Sequence, residues 1–74
     1  MAAVVHLDAH VVVWLYVGDR GRLAPIADRL EGAHLVVSPM VALELQHLYE
    51  IDRLQVAASE VIRDLRQRVG LRLS

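Results

Sequence analysis

The chain has 74 residues, 55% of them apolar and 4% aromatic, with no cysteine and a formal net charge of −1. At this length a fold buries only about 60% of the surface its unfolded chain exposes, so one core is marginal without support. The missing cysteines exclude disulfides, thiolate metal sites and cysteine catalysis, and a pI near 6.4 excludes the broad basic footprint of a general nucleic-acid binder.

In chain order, Val4-Val5-His6-Leu7-Asp8 reads as a short strand, its near-continuous apolar run suiting a parallel strand buried on both faces. His10 to Val17 is apolar almost all round and reads as a short buried helix capped by Asp8, although three successive Val keep a strand reading open. Gly18-Asp19 stops it, and 19–24 reads as a loop. Pro25 opens a second helix to about Glu31, with Ile26 and Leu30 facing inward and Gly32 ending it. His34 to Ser38 is a second apolar strand. Pro39, preceded by Ser38 as its cap, opens a third helix to about Tyr49 or Ile51. The fourth helix, Ala57 to Val69, is the most regular: Ala58, Val61, Ile62, Leu65 and Val69 share one face, and Gly70 closes it. Leu71-Arg72-Leu73 begins a third strand.

Strands alternating with helices predict an α/β fold in a single domain over residues 1–74: a short parallel sheet of two full strands and the start of a third, with about four helices. No apolar run reaches the roughly 20 residues of a membrane span, and the amino terminus lacks a basic region of signal-peptide type, so a cytoplasmic protein is expected. Twelve Val and twelve Leu argue against disorder and make a partner chain the leading source of support. Charge is segregated: residues 1–52 hold three Arg against seven acids, and residues 53–74 hold five Arg against two.

Some residues break the apolar pattern. On a helical wheel Glu44 falls inside the arc of Met40, Val41, Leu45, Leu48 and Ile51, where a carboxylate costs several kcal/mol unless paired, protonated, or facing a metal or a wet cleft. An acid at the edge of the core and a functional acid weigh equally there. Asp8 ends the first strand at the carboxyl edge, where open α/β sheets place ligands, and plain helix capping competes with that role. Adjacent parallel strands end on one edge, so Asp8, Ser38 and the start of the helix bearing Glu44 converge there, hard oxygen ligands suited to Mg²⁺ or Mn²⁺ beside a phosphate. His6, Asp8 and His10 alternate and would form a zinc set only if the strand ran through His10. His34 and His47 read as solvent-facing or core-edge residues, and Trp14 and Tyr16 as core rather than a base-stacking platform. The late arginines read as a solvated face before they read as phosphate contacts.

Val5-His6-Leu7-Asp8-Ala9-His10 with Val13-Trp14-Leu15, followed by Leu35-Val36-Val37-Ser38-Pro39-Met40, Leu43-Glu44-Leu45 and Arg53-Leu54, resembles the amino-terminal half of a PIN domain, especially of VapC-type toxins. That resemblance implies a partial three-layer PIN-like fold and the toxin of a toxin–antitoxin pair, a Mg²⁺- or Mn²⁺-dependent endoribonuclease. Asp8 and Glu44 would be its catalytic and metal-binding acids, with Ser38 in support. Ala9 stands where the family usually has Thr or Ser. PIN domains are nearly twice as long and carry further acids after the third strand, so the resemblance implies a truncated domain, inactive as this chain alone. Its implied partners are RNA, an antitoxin, a second copy or a complementing carboxyl-terminal segment. A noncatalytic remnant acting through self-association or antitoxin binding is the alternative.

Overall fold

The computed structural model describes residues 3–74. Three parallel strands, β1 (Val4–His6), β2 (His34–Val37) and β3 (Arg72–Leu73), lie in the order β1-β2-β3. Between β1 and β2 run α1 (Ala9–Val17), α2 (Arg20–Leu23), a 3₁₀ turn (Ala24–Ile26) and α3 (Ala27–Leu30), and between β2 and β3 run α4 (Pro39–Glu50) and α5 (Ala58–Val69). The α/β class and the short third strand are as the alternation of apolar runs predicts.

Local chemistry sets most boundaries. The Asp8 carboxylate accepts from the Val11 N–H at 3.0 Å and the Ser38 hydroxyl oxygen accepts from the Val41 N–H at 3.3 Å, so both residues before a predicted helix act as its cap. Gly18 and Gly70 end α1 and α5 at φ of +73° and +72°, a left-handed conformation that a Cβ would strain. The expected loop over 19–24 is partly helical. Asp19 caps a turn of helix through the Arg22 N–H, and Pro25 sits in the 3₁₀ turn that links it to α3. Ala57 has no capping side chain, and the Gln46 side-chain oxygen accepts from the Ala58 N–H at 3.3 Å instead, tying α5 to α4.

Register and burial divide the sheet into two unlike faces. Val5 pairs with Leu35 and Val37 with Leu73, so Val5, Leu7, Leu35, Val37 and Leu71 point one way and Val4, His6, His34, Val36 and Arg72 the other. On the first face Leu7, Leu35, Val37 and Leu71 are buried with Val12, Leu45, Val61 and Leu65 from the helices. On the second, Val4 is 58% exposed, His6, His34 and Arg72 are exposed, and Val36 is half-buried. Strand order explains this. Parallel crossovers are right-handed in about 98% of cases, and two of them advancing in the same direction carry their helices over the same face. Of the three layers expected, the described residues therefore hold two, and β1 is buried on one face rather than both.

The apolar arc of α4 is divided in the same manner. Leu45 is fully buried and Val41 and Leu48 pack against the core, but Met40, Leu43 and Ile51 are 73%, 65% and 50% exposed. α1 is half-buried rather than buried: Ala9 and Val12 are its only buried residues, and Trp14 lies outside the core cluster, with the Arg22 guanidinium 5.7 Å from its ring centroid. Tyr16 packs on the core edge beneath Arg68, which donates to its carbonyl at 3.1 Å. No helix among the described residues is long and apolar enough to cross a membrane.

The division of α4 predicts opposite outcomes for two leucines two positions apart. Leu45→Ala should cost about 2–5 kcal/mol in urea denaturation, whereas Leu43→Ala should stay within about 0.5 kcal/mol. Equal losses would contradict the burial pattern.

Candidate functional site

The carboxyl edge of the sheet collects three polar side chains because each strand ends there in a polar residue. Leu7 N–H donates to the Val36 carbonyl at 2.9 Å and Ser74 N–H to the Val37 carbonyl at 2.8 Å, so the pairing continues past β1 and β3. Extending the register by that step sets Asp8 beside Ser38 and Ser38 beside Ser74. Asp8 and Ser38 also stand at the amino-terminal ends of α1 and α4, whose unpaired N–H groups favour negative charge.

Asp8 is exposed and uses one oxygen, Oδ1, for its cap, and among the described residues Oδ2 has no hydrogen-bond partner. It lines a cleft of about 180 Å³ with His6, Val11, Ile26, Arg29 and Leu30. Arg29, on α3, is a residue that sequence reasoning passed over. No periodicity places a residue of one short helix beside the end of a distant strand. A cation there neutralises part of the local negative field and offers a guanidinium to an anionic ligand.

Glu44 lies on α4 within two turns of Ser38, but it is exposed. Its position within the apolar arc is as the wheel predicts. The expected desolvation is absent because that half of the arc faces solvent with Met40 and Ile51, so the carboxylate is hydrated there and carries no burial cost. Ion pairs among the described residues join Asp19 to Arg22 and Asp64 to Arg68, leaving Asp8 and Glu44 outside them.

For Mg²⁺ or Mn²⁺ the donor chemistry fits: exposed carboxylate oxygens beside a hydroxyl suit a hard cation that keeps several of its waters. A complete cage is not assembled, since no three His, Asp or Glu gather in a metal-binding group among the described residues. That also removes the zinc reading, because Asp8 ends the extended segment and His10 belongs to α1, breaking the alternation on which His6, Asp8 and His10 would have shared a face. His34 and His47 are exposed, as expected. A cavity of about 580 Å³, lined chiefly by Leu15, Leu23, Leu30, Leu35 and Val69, opens at the amino-terminal end of β2, the opposite edge from Asp8. In comparisons with known proteins the chain matches no family model, no curated protein and no solved structure.

The dual position of Asp8 separates its cap from any ligand role. Asp8→Ala should cost about 1 kcal/mol in urea denaturation through the lost Val11 contact, while Asp8→Asn, also a good cap, should remain within a few tenths. A large loss in the Asn variant would mean that the charge itself holds the fold.

Proposed function

We propose that this chain is a PIN-like, VapC-type endoribonuclease subunit in which Asp8 and Glu44 hold Mg²⁺ or Mn²⁺ at the carboxyl edge of the sheet, with Ser38 between them in sequence as a supporting polar group. The observation that supports this reading is the register of β1 and β2, which when extended past His6 and Val36 brings Asp8 level with Ser38 at the carboxyl edge, with α4 rising from that edge towards Glu44. A divalent ion so held would supply charge neutralisation and water activation for phosphodiester hydrolysis. The Oδ2 of Asp8 and the carboxylate of Glu44 would hold the cation. Arg29 offers its guanidinium to a phosphate oxygen of the RNA. Two carboxylates would hold a divalent ion weakly, so activity would draw on further acids from a complementing polypeptide. This proposal takes RNA as substrate and an antitoxin as regulatory partner, in the cytoplasm.

A second reading, a noncatalytic module acting through association, draws on a different observation. Among the described residues one sheet face is uncovered and β1 forms an edge of the sheet, whereas parallel sheets are stable mostly with both faces covered.

Manganese binding by the purified chain, followed by electron paramagnetic resonance or calorimetry, tests the first reading apart from turnover. Asp8→Asn and Glu44→Gln should each weaken binding by about tenfold or more while the fold is retained. RNA cleavage should require Mn²⁺ and be abolished by either change once a complementing segment is present. Binding indifferent to both substitutions would refute the assignment.

A further inference from the structure

The apolar run of α1 predicts a core position for Trp14, but the residue is half-buried and outside the core cluster, while Val12 of the same helix is fully buried. It is the single tryptophan of a chain without phenylalanine. Two planar side chains attend its ring. The Arg22 guanidinium lies 5.7 Å from the ring centroid, and the exposed imidazole of His10, one turn earlier on α1, lies 6.5 Å away at 46°. Arg22 is 67% exposed, and its ion pair with Asp19 runs through Nε at 3.4 Å. A guanidinium has five N–H donors, so most of them remain for another acceptor. The cluster also lies on the helix that starts at the candidate site. Asp8 caps α1, and Trp14 stands six residues further, about 9 Å along the axis. The segment from α2 to α3 sets an arginine at each of the two stations, Arg22 at Trp14 and Arg29 in the cleft of Asp8 with Val11.

We propose that Trp14 is a stacking platform for an unpaired base of the RNA strand that enters the site, with Arg22 holding the adjoining phosphate; this inference rests on the nuclease reading for its substrate class. An aromatic face with arginines beside it is the arrangement that binds single-stranded nucleic acid, since bases stack on the ring and the cations meet the backbone. In the unbound chain the guanidinium covers the ring. On binding, the base takes that face of the indole and the guanidinium turns to the phosphate, so each group exchanges one partner for another. His10 borders the platform on the side of Asp8. Every base has a π face, so such a platform is tolerant of sequence and selects instead for strand state. The bases of a duplex are already stacked on one another, and the platform therefore favours loops and single strands over helical RNA. A protein partner could also cover the indole, but a guanidinium parked on the ring with donors to spare suits an anionic strand better than an apolar surface.

Because Trp14 is the single tryptophan, intrinsic fluorescence reads the platform directly. Titration of the purified chain with an oligoadenylate RNA of about ten nucleotides, in EDTA so that no metal-dependent cleavage occurs, should quench that fluorescence. Duplex RNA and an abasic strand of the same length should not. By anisotropy of a labelled strand, Trp14→Leu should weaken binding at least about fivefold. Trp14→Phe, which keeps an aromatic face, should stay within about threefold of the wild type. Thermal unfolding of both variants should be close to wild type, since the ring lies outside the core. Arg22→Ala should lower the slope of log affinity against log salt by about 0.7, the share of one phosphate contact on a single strand. RNA that binds without quenching, or equal affinity of Trp14→Leu and the wild type, overturns the platform and leaves the indole to a protein contact. A folded chain with no affinity for unpaired RNA overturns it as well. None of these results touches manganese binding by Asp8 and Glu44, whereas quenching retained beside Mn²⁺ binding indifferent to Asp8→Asn would refute the metal site and leave the platform standing.

Discussion

Both crossovers advance across the sheet in the same direction, and the fixed hand of parallel crossovers then leaves the helices no choice of side. The core follows from this. Leu7, Leu35, Val37 and Leu71 form its floor, and Val12, Leu45, Val61 and Leu65 its roof. The other face of the same strands has no element of the described chain above it, although its central residue is a valine. A sheet that changed winding direction partway would place helices on both sides, as doubly wound folds do. Here a uniform direction produces a two-layer body whose radius of gyration, 11.7 Å, is close to the roughly 11 Å expected for a single compact domain of this length. The open face is thus a consequence of winding, not of loose packing.

The same parallel arrangement concentrates polarity at one edge. All strands end there, and α1 and α4 both begin there, so their free N–H groups call for oxygen acceptors at the positions that Asp8 and Ser38 occupy. A residue selected to cap a helix and a residue selected to hold a cation have the same chemistry at such a position. The second oxygen of Asp8 distinguishes them: the cap consumes one, and a monodentate ligand needs only the other.

Elements with strong local signals could be read directly from the residues. α5 has alternating faces, a glycine at its end and buried Ala58, Val61, Ile62 and Leu65, as its periodicity requires. α4 and both strands with flanking caps fall within two residues of expectation. What escaped reading depends on partners distant in sequence. α1 is apolar all round, so its pattern cannot say which side meets the core, and only packing shows that Trp14 sits outside beneath Arg22. The wheel of α4 locates Glu44 among apolar residues but carries no information on which half of a wide arc finds a neighbour. Val4 and His6 belong to a strand that looks doubly buried by composition and is singly buried by topology. Arg29 reaches the cleft of Asp8 through the path of α2 and α3, which involves two one-turn helices and a 3₁₀ turn that propensity does not anticipate. The site acids are likewise visible as types and spacings, whereas their exposure is a tertiary property.

Small size brings these features together. A chain this short and this apolar has more nonpolar side chains than one layer of helices can cover, and the surplus must appear somewhere on its surface. It appears as two different surfaces, the bare sheet face and the outer stripe of α4. The first has unpaired backbone at its β1 edge and tolerates many partners, so it confers little selectivity. The second is limited to side chains, with Met40, Leu43 and Ile51 exposed around the polar Glu44 and His47. α4 and its cap expose Met40, Leu43, Tyr49 and Ile51, whereas the open sheet face exposes Val4 among His6, His34 and Arg72. Covering either surface would stabilise the folded state by mass action, because the unfolded chain presents neither.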